Sequence, residues 1–272
     1  MCVKLISHTH FFKGGDVMIS HTLWQRDTFI NENIPFLFNK EIIEYDMKDA
    51  GFSLTQEYEL LDANTISKLE KFKKDKRKVE MGKIERDNSE YREAKKEAFK
   101  LARQMFFEMN ELEITDIISI KKDAIITTKR CNHQNFGKYI LFRPKNFYTS
   151  YIQLGKRLEF YYSPIQLDVK GISDETLELH KDYMLKFIKL FFNKMETEDD
   201  ITVIEFMKRF ITKYKRKELE VGYYRQFNHE SNFILLDNST DTFMDYWEES
   251  KDELDISYNF HEILLKLIQI PL

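Results

Sequence analysis

The stretch DIISIKKDAIITTK, residues 116–129, limits the folds open to this chain more than any other. Ile117, Ile118 and Ile120 precede a charged break, and Ile125, Ile126 and Thr127 follow it. β-branched residues of this kind suit a pleated, half-buried surface. Lys121-Lys122-Asp123 does not fit inside an apolar layer, so the stretch reads as a hairpin, or as one long strand, with Asp123 where the pattern breaks. Residues 89–112, just upstream, hold the clearest helix: Tyr91, Ala94, Ala98, Leu101, Ala102, Met105 and Phe106 recur at three- and four-residue steps. A long amphipathic helix that leads directly into strands implies an α+β fold.

The rest of the chain extends that pattern. PFLFNKEIIEYD, residues 35–46, holds one or two strands, and residues 49–61 read as a helix. Residues 64–74 repeat the helical pattern, with Asn64 or Thr65 as cap and Ile66, Leu69 and Phe72 on one face. A basic run, KFKKDKRKVEMGKIER, follows. KYILF, TSYIQL and RLEFYY, between 138 and 170, are further strands, and from Asp174 the chain turns helical. A helix at about 201–218 is expected to place Ile204, Phe206, Met207, Phe210 and Ile211 inward, and FHEILLKLI near the end forms a last helix. The expected organisation is an antiparallel sheet packed with helices over residues 18–172, with a basic helical insertion at about 64–112, and a helical region over 173–272.

At 272 residues the chain has ample length for a core. Its net charge of −4 excludes a basic protein overall, while local basic stripes remain. Two cysteines, Cys2 and Cys131, make no disulfide framework and fit a reducing cytoplasm. No apolar run reaches the roughly 20 residues needed to span a bilayer, so no membrane partner is expected. Codons for Lys13-Gly14-Gly15 can spell a ribosome-binding sequence at normal spacing before Met18. Residues 1–17 are then a translated leader in a bacterial or bacteriophage gene, or else an ordinary N-terminal strand.

Asp46 and Asp123 share one property: each ends or interrupts an apolar β-branched run. Two strand-borne carboxylates close in space can hold two divalent ions, Mg²⁺ or Mn²⁺, for phosphoryl transfer. On spacing alone the plainer alternative stands beside this, with Asp46 capping a helix and Asp123 in a turn. Tyr148, Tyr151, Phe160, Tyr161 and Tyr162 offer rings for base stacking, or else form core. Cys131-Asn132-His133 has too few ligands for a structural zinc site and reads as a loop.

Read in order, these stretches resemble family B DNA polymerases, in the palm and thumb, over about residues 40–195. In that family a metal-binding Asp follows a hydrophobic strand and precedes a pattern like F-x-S-L-Y. Here DMKDAGFSL runs parallel, with Asp46 at the metal position. A second motif, D-T-D-S between apolar strands, matches the frame of IISIKKDAII, with Asp123 on its second Asp. GKRLEFYY and LDVKGIS follow where the family carries a basic strand and a Lys-Gly turn before its thumb. The chain departs from the pattern at Lys121, where the first Asp of that pair is expected, and at Gly51, where a sugar-gating Tyr is expected. No exonuclease domain fits before residue 40.

The resemblance implies a reduced polymerase-like protein that performs template-directed nucleotidyl transfer in the cytoplasm of a bacterial host. Asp46 and Asp123 are its expected catalytic and metal-binding residues. Lys83, Arg86, Gly51 and Ser53 would face the nucleoside triphosphate. Lys156, Arg157, Lys170, Lys208, Lys213 and Arg216 would hold nucleic acid. The alternative is a non-catalytic relative that binds DNA or a replication or transcription protein; Lys121 and Gly51 favour it. An unrelated α+β interaction protein is a third possibility.

Overall fold

The computed structural model describes residues 20–154, 158–179, 181–216, 218–220 and 223. The expected leader, Lys156, Arg157 and the last helix lie outside the described residues. The fold is α+β, with two antiparallel sheets. Strands β1 (Thr28–Ile30), β2 (Phe36–Leu37) and β3 (Ile42–Met47) come first. Helices α1 (Ala50–Glu57), α2 (Ala63–Glu70), α3 (Lys74–Asp87) and α4 (Ser89–Met109) follow. Then come β4 (Ile117–Lys121), β5 (Ala124–Thr127), β6 (Phe142–Tyr148), β7 (Ser150–Leu154), β8 (Leu158–Ser163) and β9 (Gln166–Lys170). Helices α5 (Asp174–Leu179), α6 (Met184–Thr197) and α7 (Asp200–Lys215) complete the described elements. One sheet has the order β1-β4-β5-β3-β6 and the other β2-β7-β8-β9.

The chain divides into two compact units, neither contiguous in sequence. Of the described residues, the first comprises those up to Phe29, Tyr45–Ile125 and Arg130–Arg143. Its core is built on α4, whose N-terminus is capped by Asn88 accepting from the Tyr91 N–H at 2.9 Å. Phe106, wholly buried, meets the rings of Tyr45, Phe136 and Phe142 at centroid distances of 5.3, 5.9 and 4.5 Å. Each such ring contributes roughly 1.5–3 kcal/mol by leaving water. A satellite cluster of Phe52, Leu69, Met81 and Tyr91 ties α1 to α4 together.

The second unit comprises Ile30–Glu44, Ile126–Lys129 and the described residues from Pro144 onward. Its four-stranded sheet obeys strand alternation. The registers Ile152↔Phe160 and Phe160↔Val169 put apolar residues on one face. α6 carries Phe187, Ile188, Phe191 and Phe192 at helical spacing and covers that face together with Val203 and Met207 of α7. The registers Tyr151↔Tyr161↔Asp168 and Glu159↔Lys170 put a polar, aromatic set on the other face.

Several expectations need correction. The α2 cap is Asp62, which accepts from the Thr65 N–H at 3.0 Å, rather than Asn64 or Thr65. KYILF is a strand only from Phe142 onward, where β6 runs on through Arg143, Pro144 and Lys145. Ile204 of α7 is exposed rather than inward. Tyr148, Tyr151, Phe160, Tyr161 and Tyr162 are all buried, so no base stacks on them in this conformation.

Candidate active site

β3 is buried along its length except at Asp46, which is half-buried near its C-terminal end, and it carries one further carboxylate, the buried Glu44. Asp46 therefore belongs to the strand and caps no helix. The N-cap of α1 is Asp49, in the left-handed region at φ 49°, a conformation that Asp tolerates. Its carboxylate makes no cap bond, because Arg77 of α3 holds it in an ion pair. The guanidinium of Arg77 also lies over the Phe52 ring, 4.3 Å from its centroid.

β4 and β5 form the expected hairpin, and Asp123 sits in its turn, half-buried. Lys122, before it, is held at φ 54°, a conformation that costs a side-chain-bearing residue on the order of 1–3 kcal/mol. The surroundings enforce it. The Lys122 N–H donates to the Asp27 carbonyl at 2.6 Å, and its carbonyl accepts from Arg103 Nη1 at 2.7 Å. Arg103 is fully buried on α4 and also donates from Nε to the Trp24 carbonyl at 2.8 Å and from Nη2 to Asp27 at 3.0 Å. Burial pulls its pKa below the ordinary value, against the opposing pull of the Asp27 and Asp123 carboxylates.

The two Asp-bearing segments are direct neighbours. β5 and β3 are adjacent in the sheet, and the Met47 N–H donates to the Asp123 carbonyl at 2.9 Å. Adjacent strands run about 4.8 Å apart. Among the described residues no three His, Cys, Asp or Glu side chains converge on one point. Asp46 and Asp123 are both half-buried, and each brings hard carboxylate oxygens to these neighbouring segments. That hard-oxygen set suits Mg²⁺, which takes one or two carboxylates and completes its shell with water and substrate phosphate.

The remaining expected contacts fall in different places. Ser53 is buried, and its hydroxyl donates to the Lys48 carbonyl at 2.8 Å. Lys83 and Arg86 are exposed on α3, beside Glu80 at 2.8 Å and Asp87 at 3.1 Å. Lys208, Lys213 and Arg216 are exposed on and just after α7, Arg216 within 3.8 Å of Glu218. Gly51 lies in the first turn of α1. A Cβ there would stand 3.3 Å from Cε of Lys95, whose ammonium pairs with Glu85 at 2.6 Å.

Arg77 and Lys95 are therefore the cations that meet the segment following Asp46, and neither was singled out from sequence. Helix phase marks both. Arg77 is in step with Met81 and Ile84, and Lys95 is a lysine on the buried stripe of Tyr91, Ala98 and Ala102.

Lys170 is engaged inside the second unit. Its ammonium donates to Glu44 at 2.8 Å, and Asn146 Nδ2 and the Tyr148 hydroxyl lie 2.9 and 3.0 Å from the other Glu44 oxygen. Burial alone would raise the Glu44 pKa. The charge and hydrogen bond of Lys170, joined by the hydrogen bond from Asn146 and the neighbouring Tyr148 hydroxyl, reverse that and hold it below the ordinary value. The Tyr148 hydroxyl donates to Asp168 at 2.5 Å; burial first, then that bond and the two carboxylates, push its pKa far up.

Fold and site define an α+β protein with two strand-associated carboxylates next to a basic helical segment. The chain belongs to the family of bacteriophage PBS1 gene 130 proteins, whose model matches residues 18–272. No curated protein matches it. The expected bacteriophage origin agrees with the family. No helix among the described residues is long and apolar enough to cross a membrane.

Proposed function

We propose that this chain is a reduced polymerase-like palm that performs template-directed nucleotidyl transfer in the bacterial host's cytoplasm, with Asp46 and Asp123 as its metal-binding catalytic pair. One observation carries the reading. Two residues far apart in sequence, each flagged by its break in an apolar run, lie on hydrogen-bonded neighbouring segments, joined by Met47 N–H to the Asp123 carbonyl. The order of strand, basic helices and hairpin supports it. Asp46 and Asp123 would hold Mg²⁺ or Mn²⁺. When bound, the ions stabilise the attacking and leaving oxygens of an in-line displacement. Arg77 and Lys95 neutralise the triphosphate beside the α1 N-terminus, exchanging Asp49 and Glu85 for phosphate oxygens. Arg103 fixes the hairpin turn, so the Asp123 carboxylate needs no reorganisation. The primer 3′-hydroxyl attacks the α-phosphate and pyrophosphate leaves, with positioning and charge as the whole of the catalysis.

Primer extension with deoxy- and ribonucleotides, in Mg²⁺ and in Mn²⁺, tests this against Asp46→Ala and Asp123→Ala. Extension that either substitution abolishes supports the site. Extension indifferent to both refutes it. A second reading has its own observation: Lys95 fills the space beside Gly51 where a sugar-gating ring would pack. On that reading the chain binds DNA, or a replication or transcription protein, without catalysis. Retained binding with no extension favours it.

A further inference from the structure

We propose that the outward stripe of α3 is a binding surface for a nucleic-acid phosphate backbone. Lys74, Lys78, Gly82 and Arg86 recur every four residues and share one exposed face. Successive positions on it climb about 6 Å along the axis. The helix contributes little to the core, with Met81 as its one fully buried residue among those described, while Val79 beside the stripe is 58% exposed.

The charge is concentrated there. From Lys71 to Arg86 the chain has eight Lys and Arg against three acids, Asp75, Glu80 and Glu85, in a protein whose net charge is −4. Lys71, Lys73, Lys74 and Lys78 form no ion pair with any described residue.

Gly82 is the independent observation. A glycine in a helix interior weakens the helix relative to alanine. A Cβ at Gly82 would meet nothing within 4 Å among the described residues, so no packing they make requires its absence. What a bare position gives, in the middle of a cationic stripe, is close approach of a partner to the helix backbone. A protein partner would ask for an apolar or aromatic centre, which Val79 alone does not supply. Evenly spaced cations around exposed backbone suit phosphates. The surface rests on the nucleic-acid part of the proposed function and does not require the Asp46–Asp123 chemistry.

Fluorescence anisotropy of labelled single-stranded and primer-template oligonucleotides across a salt series tests the surface in the full chain. The Lys74→Gln, Lys78→Gln, Arg86→Gln variant is expected to lose three phosphate contacts. Its slope of log K against log salt becomes shallower by about 2.7 on duplex, or about 2.1 on single strands. Gly82→Ala is expected to weaken binding while raising the melting temperature. A wild-type slope in the triple variant overturns the surface. If only a Lys208→Gln, Lys213→Gln, Arg216→Gln variant changes the slope, the α3 surface falls while the wider nucleic-acid reading stands. Failure of the wild type to bind either oligonucleotide, or equal affinity for polyglutamate, also overturns it; primer extension judges the catalytic reading separately.

Discussion

Arg103→Met removes the buried guanidinium that fastens the Asp123 turn, and its cost can be worked from three bonds. Two acceptors, the Lys122 and Trp24 carbonyls at 2.7 and 2.8 Å, lose charge-assisted bonds worth about 1.5–3 kcal/mol each. The third partner, Asp27, has a side chain 57% exposed, so solvent screening holds its share below about 1 kcal/mol. Relief of the desolvation that lowers the Arg103 pKa offsets part of the loss. The expected net destabilisation is about 3 kcal/mol, a fall of roughly 1 M in urea midpoint at a slope near 3 kcal/mol/M. Urea titration followed by circular dichroism reads it. A second readout is local: amide exchange at Met47, which donates to the Asp123 carbonyl, should quicken more than in an equally destabilised variant elsewhere. Arg103→Lys should recover little, since one ammonium does not span three acceptors set around a planar fork. A loss under about 1 kcal/mol, with unchanged Met47 exchange, would refute the view that Arg103 holds this turn.

The Glu44 pKa is depressed in the folded state, so its contribution is fully present above the ordinary carboxylate value and is lost as pH falls through the depressed one. Lys170→Met leaves burial less opposed and should raise the Glu44 pKa; urea midpoints between about pH 3 and about pH 7 should show the deficit largest at neutral pH and shrinking in acid. An equal deficit across that range contradicts the pairing. Gly137→Ala should cost about 1–3 kcal/mol, because φ is +103° and the new Cβ would collide with the Glu57 carboxylate that accepts the Lys138 and Tyr139 N–H groups. Gly82→Ala, whose new Cβ would meet none of the described residues within 4 Å, should gain about 0.8–1 kcal/mol by thermal denaturation.

Legibility in the sequence followed how many neighbours each feature needs. α4 and the β4–β5 hairpin were readable because periodicity and a charged break are local signals. The start of β6 was not. The apolar residues Tyr139 and Ile140 belong to a loop drawn in by Glu57, far upstream, while the strand itself runs through Arg143, Pro144 and Lys145 at a sheet edge. Asp46 and Asp123 could be named from sequence, but their adjacency is a product of sheet order. In the basic run all cations look alike; only the phase set by Met81 and Ile84 separates Arg77, turned toward Asp49, from Lys78 and Arg86, turned to solvent. Arg103 was missed because burial of an arginine is decided by the hairpin turn and the Trp24–Asp27 segment together.

The central claim is that Asp46 and Asp123 form one divalent-metal site, and electron paramagnetic resonance of Mn²⁺ tests it most directly. Titrated in the presence of primer-template and a non-hydrolysable nucleoside triphosphate, the protein should bind two spin-coupled ions, about 3.5–4 Å apart. Both Asp46→Asn and Asp123→Asn should abolish the coupled signal while the protein stays folded. A coupled pair that survives either substitution, or no protein-dependent Mn²⁺ binding at all, would contradict the account.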